Sequence, residues 1–279
     1  MSRMVPGFAA MAAEYDAFIV DLWGVVHDGV APFPGALDCL RRLEGRPVLL
    51  LSNAPRRADS VQRTLRRLNV VDSLYTHILT SGEATWLALR NRTDPWFRAL
   101  GHRVYHLGPE RDRGVMDGIG LTLVARPDDA DFLLNTGPDD QRDTAGIAEF
   151  TGDLRACLDA GLKMICANPD LEIVRGGTRI LCAGALAQWY AAQGGEVRSI
   201  GKPDRAIYAH ALAMLGVAAG RVLAVGDSLR TDIAGASGAG LDSLWVLGGI
   251  HAAEAEDDPA AVARAFDVSP TAMIPQLIW

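Results

Sequence analysis

The sequence has no long hydrophobic run. Its apolar stretches fall far short of the roughly 20 residues that cross a bilayer, so no membrane-spanning helix is expected. Positive charge is also in short supply: 27 Lys and Arg stand against 34 Asp and Glu, a net of -7. Binding to a phosphate backbone draws on basic surface, so nucleic acid is not an expected partner. Cysteine is sparse. The four residues Cys39, Cys157, Cys166 and Cys182 form no C-x-x-C pair and sit in apolar patterns, which reads as buried free thiols in a reducing cytoplasm. Met1 to Glu14 hold an Ala-rich apolar run, but Pro6 and Gly7 interrupt it and one Arg precedes it. That segment reads as a short N-terminal helix and not as a secretory signal. What remains is an acidic chain of 279 residues, 49 % hydrophobic, long enough for one large or two modest domains.

The organising stretch is Ala17 to Gly29, AFIVDLWGVVHDG. Ala17, Phe18, Ile19 and Val20 run without alternation, as a strand buried on both faces does, and the run stops at Asp21. In open parallel sheets the ligand crevice lies outside the carboxyl ends of the strands, which puts the Asp21 carboxylate where ligands bind. Gly24 lets the backbone turn away. Three more strand ends carry polar groups. Pro47 to Leu51 ends in Ser52 and Asn53 ahead of a helix start, and a helix N-terminus favours an anion. Arg198 to Ile200 leads into Gly201, Lys202, Pro203 and Asp204, with Lys202 as the cation at that end. Arg221 to Val225 ends in Gly226 and Asp227, with Ser228, Thr231 and Asp232 just behind. A carboxylate, a hydroxyl, an ammonium and an acidic pair thus converge from four strands.

These stretches in this order, DLWGV at 21–25, LLLSN at 49–53, GKPD at 201–204 and GDSLRTD at 226–232, resemble the motifs of the haloacid dehalogenase superfamily of aspartate-nucleophile phosphotransferases. Pro34-Gly35-Ala36 and Asn168-Pro169-Asp170 point further to its class IIA, the sugar-phosphatase-like branch with a large α/β cap. The resemblance spans nearly the whole chain. It implies an α/β fold: a Rossmann-like, doubly wound parallel-sheet core over 1–82 and 198–279, with an α/β cap inserted over 83–197. It also implies a Mg2+-dependent hydrolase of small phosphate monoesters, of a sugar or nucleotide, acting through an aspartyl phosphate on Asp21. Asp21 and Lys202 are then the catalytic pair. Asp21, Asp227 and the backbone carbonyl of Trp23 would ligate Mg2+, with Asp232 in the outer coordination sphere or holding Lys202. Ser52 and Lys202 would take the phosphate oxygens, and the amide near Asn53 would add a backbone donor.

One position departs from the family pattern. The family's phosphatases carry a second Asp two residues after the nucleophile, as the acid that protonates the leaving oxygen, and here that residue is Trp23. His27 and Asp28, in the turn region that serves the family as a flap, are candidates for a replacement; a structural hydrogen bond is the other reading of each. Three functions stay open. The first is a phosphatase without the standard acid. The second is a phosphonatase- or dehalogenase-like enzyme, since those members of the superfamily also lack the second Asp. The third is a phospholigand-binding regulatory protein with weak activity. The retained Asp227 and Asp232 speak for a metal, and the intact remaining motifs speak against a dead enzyme.

Between Gly82 and Gly201 the chain has its own alternation of strands (Val104–Leu107, Phe132–Asn135, Lys163–Ala167) and helices (Glu83–Arg92, Gly146–Ala160, Gly184–Gln193). An insertion of about 115 residues with this pattern is a domain of ordinary size. Asn168 and Asp170 follow one of its strands, where substrate contact and a plain Asx-turn are both open. Gly176, Gly177 and Gly184 mark a tight or flexible loop. From Ala54 to Leu68 a helix carries Arg56, Arg57, Arg63, Arg66 and Arg67, a solvated face by its interleaved polar residues. Arg56 and Arg57 alone lie near enough to Asn53 to reach a phosphate or the cap. Ser243 to Leu247 reads as a last parallel strand, and the apolar tail ending at Trp279 as docked on the core or on a second subunit. The expected protein is a cytoplasmic enzyme for a small phosphorylated metabolite, with a homodimer left open.

Overall fold

The computed structural model describes residues 3–142, 146–175 and 178–279. Gly176 and Gly177, expected to mark a loop, lie outside the described residues. The strands in chain order are β1 (Arg3–Met4), β2 (Ala17–Asp21), β3 (Val48–Ser52), β4 (His77–Thr80), β5 (Arg103–Leu107), β6 (Thr122–Val124) and β7 (Phe132–Asn135), then β8 (Lys163–Cys166), β9 (Glu172–Arg175), β10 (Thr178–Leu181), β11 (Val197–Ser199), β12 (Val222–Gly226), β13 (Asp242–Val246) and β14 (Ala272–Ile274). Seven form the core sheet in the order β1-β14-β13-β12-β2-β3-β4, with every pairing parallel. Five form the cap sheet, β11-β8-β7-β5-β6, also parallel, and β9 and β10 make an antiparallel hairpin.

The core sheet is covered on both faces, which is why β2, β3 and β12 are buried at every residue and read as unbroken apolar runs. Alternate side chains enter two separate clusters. Phe18, Val20 and Leu50 pack with Phe8, Leu37 and Leu65 on one face. Ile19, Leu49 and Leu51 pack with Ile207, Tyr208 and Ala211 on the other. The chain moves outward one way from β2 through β3 to β4, and the other way from β12 through β13 to β14. The β2/β12 boundary is therefore the topological switch point, and Asp21 and Asp227 stand at its carboxyl edge.

Several expectations need correction. The strand that leads into Lys202 is β11, and it pairs with β8 of the cap sheet, not with the core. Lys202 therefore arrives from the cap side, and the sheet membership moves the return to the core past residue 198. The C-terminal tail docks on the core, the first of the two readings, and adds a strand that was not expected: Ala272–Ile274 forms β14 between β13 and β1. The N-terminal helix is the single turn Ala9–Ala12, preceded by β1. The arginine-bearing helix starts at Ala58, because Ala54 to Arg57 form the loop that leaves β3. The helix expected over Gly146–Ala160 is a 3-10 turn, Ala148–Phe150, running into the helix Thr151–Asp159. β6 and the β9–β10 hairpin had no counterpart among the expected elements.

Candidate active site

Asp21 ends β2 and Asp227 follows β12, while Asp232 closes a π-helical turn, Leu229–Ile233. Lys202 enters from the β11 side, and its Nζ lies 2.6 Å from Asp21 Oδ1, 2.7 Å from Asp232 Oδ1 and 3.3 Å from the Leu51 carbonyl oxygen. All four charged side chains are buried. Burial alone would pull the Lys202 ammonium down, but the Asp21 and Asp232 carboxylates outweigh it and hold it well above its usual range. One ammonium does not neutralise three carboxylates. Burial and the neighbouring Asp232 charge push Asp21 well above the ordinary carboxyl range and Asp227 up to about 7.

That surplus of negative charge is what a divalent cation would balance. Asp21, Asp227 and Asp232 each offer an oxygen, and the three oxygens lie within 4.8 Å of one another. An all-carboxylate set suits a hard ion such as Mg2+ or Ca2+. Asp227 is fixed from several sides: the Ile250 N–H donates to Oδ2 at 2.7 Å, and buried Trp245 donates its indole N–H to the Asp227 carbonyl at 2.9 Å. A Cβ at Gly24 (φ +75°) would stand 2.1 Å from Asp227 Oδ2, and one at Gly249 would stand 2.0 Å from it. Two side-chain-free positions thus leave room for the carboxylate. The residues present fit a divalent ion.

Ser52 is buried beside Asp21 and lines the same cavity. Asn53 lies there too, but its side chain is fully engaged. Its Nδ2 donates to Asp170 Oδ1 at 2.9 Å and to the Lys202 carbonyl at 3.1 Å, and its Oδ1 accepts from the Lys202 N–H at 2.8 Å and from Ser81 Oγ at 3.1 Å. Both amide hydrogens and both lone pairs are spent on tying β3 to the cap loop and to Lys202. A phosphate contact by this side chain would break one of those bonds.

The cavity in front of Asp21 measures about 370 Å³. Trp23 and Asp28 line it, with Phe33, Ile173, Val174, Ile250 and Phe266 among the apolar walls and Arg179, Arg230 and His251 among the polar ones. Both sequence candidates for a replacement acid make structural hydrogen bonds. His27 is buried outside the cavity lining, its Nδ1 accepts the Gly29 N–H at 3.0 Å, and burial lowers it to about 4. Asp28 Oδ1 accepts the Val30 and Ala31 N–H groups at 2.8 and 2.7 Å, and those bonds hold its carboxyl below the usual range. Both are flap-building residues. Asn168 makes the Asx-turn, accepting the Asp170 N–H at 3.1 Å, and is not part of the cavity lining, whereas Asp170 is. Arg56 and Arg57 point elsewhere, to Asp112 and Glu83 of the next segment.

The hairpin residues Ile173, Val174 and Arg179 were not anticipated at the site. Their signal was present in the sequence: two β-prone runs flank a Gly-Gly pair, the pattern of a short hairpin loop. Ile250 and Trp245 had no such signal, because what they do depends on which loop meets Asp227.

Two family models match the chain: haloacid dehalogenase-like hydrolase over residues 18–122 and HAD-hydrolase-like over residues 199–272. The solved structure of a haloacid dehalogenase-like family hydrolase from Brucella suis 1330 superposes with a TM-score of 0.86 and 32 % identity, covering 99 % of this chain and 100 % of that one. The D-glycerol 3-phosphate phosphatase of Mycobacterium tuberculosis is 32 % identical over 249 residues, 88 % of this chain. This chain spans 66 % of the length of that curated relative. A crystal structure of glycerol phosphate phosphatase from Mycobacterium tuberculosis in complex with calcium has a TM-score of 0.63 at 30 % identity, covering 86 % of this chain and 68 % of that one. With motifs, fold and full-length likeness in agreement, the chain belongs to the haloacid dehalogenase-like hydrolase family.

Proposed function

We propose that this hydrolase is a Mg2+-dependent phosphatase of small phosphate monoesters and works through an aspartyl phosphate on Asp21. The observation that carries it is the Lys202 ammonium bridging Asp21 and Asp232 in a buried cluster of surplus negative charge. Such a cluster is suited to a ligand that brings both a cation and a phosphate. Asp21, Asp227 and the Trp23 carbonyl, which accepts no protein hydrogen bond among the described residues, would hold the ion. When bound, the ion supplies Lewis-acid neutralisation of the phosphoryl oxygens. Lys202 and the Ser52 hydroxyl orient the phosphate for in-line attack by an Asp21 carboxylate oxygen. Asp232 fixes Lys202 and is itself fixed by the Ser228 N–H, which donates to Oδ2 at 3.1 Å. The cap walls the cavity and limits access of stray water to the aspartyl phosphate.

The phosphatase names of the Mycobacterium tuberculosis relatives support a small organic phosphate as substrate. The test is phosphate release over a panel of sugar, glycerol, nucleotide and aryl phosphates with Mg2+, paired with trapping of the phosphorylated enzyme. Release that depends on Asp21, with the phosphoryl group mapped to Asp21, is the expected result. Turnover that survives Asp21→Asn would remove the covalent route.

A further inference from the structure

An indole at position 23 has no proton to give a leaving oxygen at neutral pH. Apart from the Asp21, Asp227 and Asp232 cluster, four carboxyl groups line the cavity: Asp28, Asp170, Glu172 and Glu254. Three of these are engaged elsewhere. Asp28 caps two backbone N–H groups, and Glu172 and Glu254 both pair with Arg179. Asp170 is different. Its Oδ1 accepts one bond, from the neutral Asn53 amide, and its Oδ2, like that of Asp28, has no protein donor among the described residues. Unlike Asp28, it is deeply buried and carries no backbone N–H bonds. One oxygen is oriented and the other is left for chemistry.

The mount is firm. Asn53 is locked to Lys202 and Ser81, the Asp170 N–H is held by Asn168, and Arg230 of the core donates to the Pro169 carbonyl at 2.5 Å. The charges facing Asp170 are Lys202 and Arg230, which favour its carboxylate, and Asp232, which opposes it. Cys166 and Cys182, close to the same loop, are buried thiols that burial keeps protonated. Burial of Asp170 outweighs both cations and pushes its carboxyl above the usual range, the direction a proton donor requires. His251, also in the wall, is packed on Trp245 and Phe266 and is held neutral by burial.

We propose that Asp170, carried on the cap, is the general acid and base that position 23 does not supply; the inference rests on the phosphatase reading above. As Asp21 oxygen bonds to phosphorus, the bond from phosphorus to the ester oxygen breaks, and its electron pair stays on that oxygen. The oxygen takes the Asp170 proton and leaves as an alcohol. The Asp170 carboxylate then takes a proton from water as the water oxygen bonds to phosphorus. The bond to Asp21 breaks, its electron pair returns to the Asp21 carboxylate, and phosphate is released.

The test compares kcat/KM for p-nitrophenyl phosphate, whose leaving group needs little protonation, with that for glycerol 3-phosphate, whose alkoxide needs much. Asp170→Asn keeps an oxygen for the Asn53 bond. It is expected to lose about 10² to 10⁴ on the glycerol ester and less than about tenfold on the aryl ester, and to lose the basic limb of the glycerol-ester pH profile. Asp170→Ser provides the same comparison should the first variant not fold. Equal losses on both esters, or none on either, in an active parent overturn the inference alone. A parent that releases phosphate from neither ester overturns the phosphatase reading and this inference with it.

Discussion

Two cavities of similar size line this molecule, about 370 Å³ beside Asp21 and about 340 Å³ between the helix Ala58–Arg67 and the segment Glu110–Met116. Both are rich in charge, and they handle it in opposite ways. In the second, each guanidinium has an acid: Arg57 binds Glu83 through two nitrogens and stacks 3.7 Å over Trp86, Arg63 meets Asp59, Arg111 meets Asp140, and Arg56 lies 3.5 Å from Asp112. In the first, three buried carboxylates cluster with one lysine, which pairs with only two of them, Asp21 and Asp232. Paired charge holds segments together. A buried excess of one sign costs stability until a ligand offsets it, so the unbalanced cavity is the one built for binding.

The sharpest way to break that comparison is to change the balance of the first cavity. Asp21→Asn should abolish phosphate release while melting no lower than the parent, because it removes the nucleophile and one of three mutually repelling charges. A large fall in melting temperature would mean that Asp21 is structural. Lys202→Ala should abolish activity and also destabilise by about 3–5 kcal/mol, since it strands Asp21 and Asp232 without a cation. Lys202→Arg should rescue poorly, because a guanidinium fork does not fit a pocket shaped for a point-like ammonium. Denaturant unfolding and phosphate release, measured together, check both variants.

Next in size is the response to metal. EDTA should stop turnover and Mg2+ restore it, and in the absence of any substrate Mg2+ should raise the melting temperature of the parent. At 100 times its Kd a bound ion adds about 2.7 kcal/mol to the folded state. Asp227→Asn should lose most of that shift. A parent whose melting temperature ignores Mg2+ and Ca2+ alike would leave the charge surplus unexplained.

The groups that carry this imbalance were legible in the sequence because each is tied to the end of a buried strand. Asp21, Ser52 and Asp227 end or follow β2, β3 and β12, whose unbroken apolar runs leave no doubt about where they stop. Lys202 stood out as the cation at a strand end, in the stretch Gly201-Lys202-Pro203-Asp204. What was not legible depends on weak local signals or on tertiary meeting points. β11 is short and half-exposed, Val197-Arg198-Ser199, and nothing in three such residues tells one sheet from another. The tail's strand β14 is recognisable only once β13 and β1 stand on either side of it. Asn53 read as the place of a backbone donor to phosphate; that its side chain also ties the site together was hidden, because its Asp170 and Lys202 partners lie 117 and 149 residues away in the chain. The same distance hid the contrast between Asp28 and Asp170: one is capped by its own neighbours, and the other faces an amide from a remote part of the chain.

The smallest expected effect sharpens the comparison from the other side, at the one pair in the second cavity that is not well made. Arg56 Nε and Asp112 Oδ1 are buried, and neither has a hydrogen-bond partner. Burial pushes Asp112 up to about 6 despite the nearby Arg56 and Arg111. The ordinary value of 3.8 describes the unfolded chain, so between about pH 4 and 6 the folded state keeps a proton that the unfolded state has released. Stability from this site therefore falls as pH rises through that window, by at most about 3 kcal/mol, and is level above it. Asp112→Asn keeps an oxygen toward Arg56 and removes the titration. Its unfolding free energy should match the parent's near pH 4 and exceed it by pH 7, with kcat/KM unchanged, because this cavity takes no part in the chemistry. A variant less stable than the parent at pH 7 would mean that the Arg56–Asp112 attraction exceeds its desolvation cost, and that even the poorest pair of the second cavity is a net support of the fold.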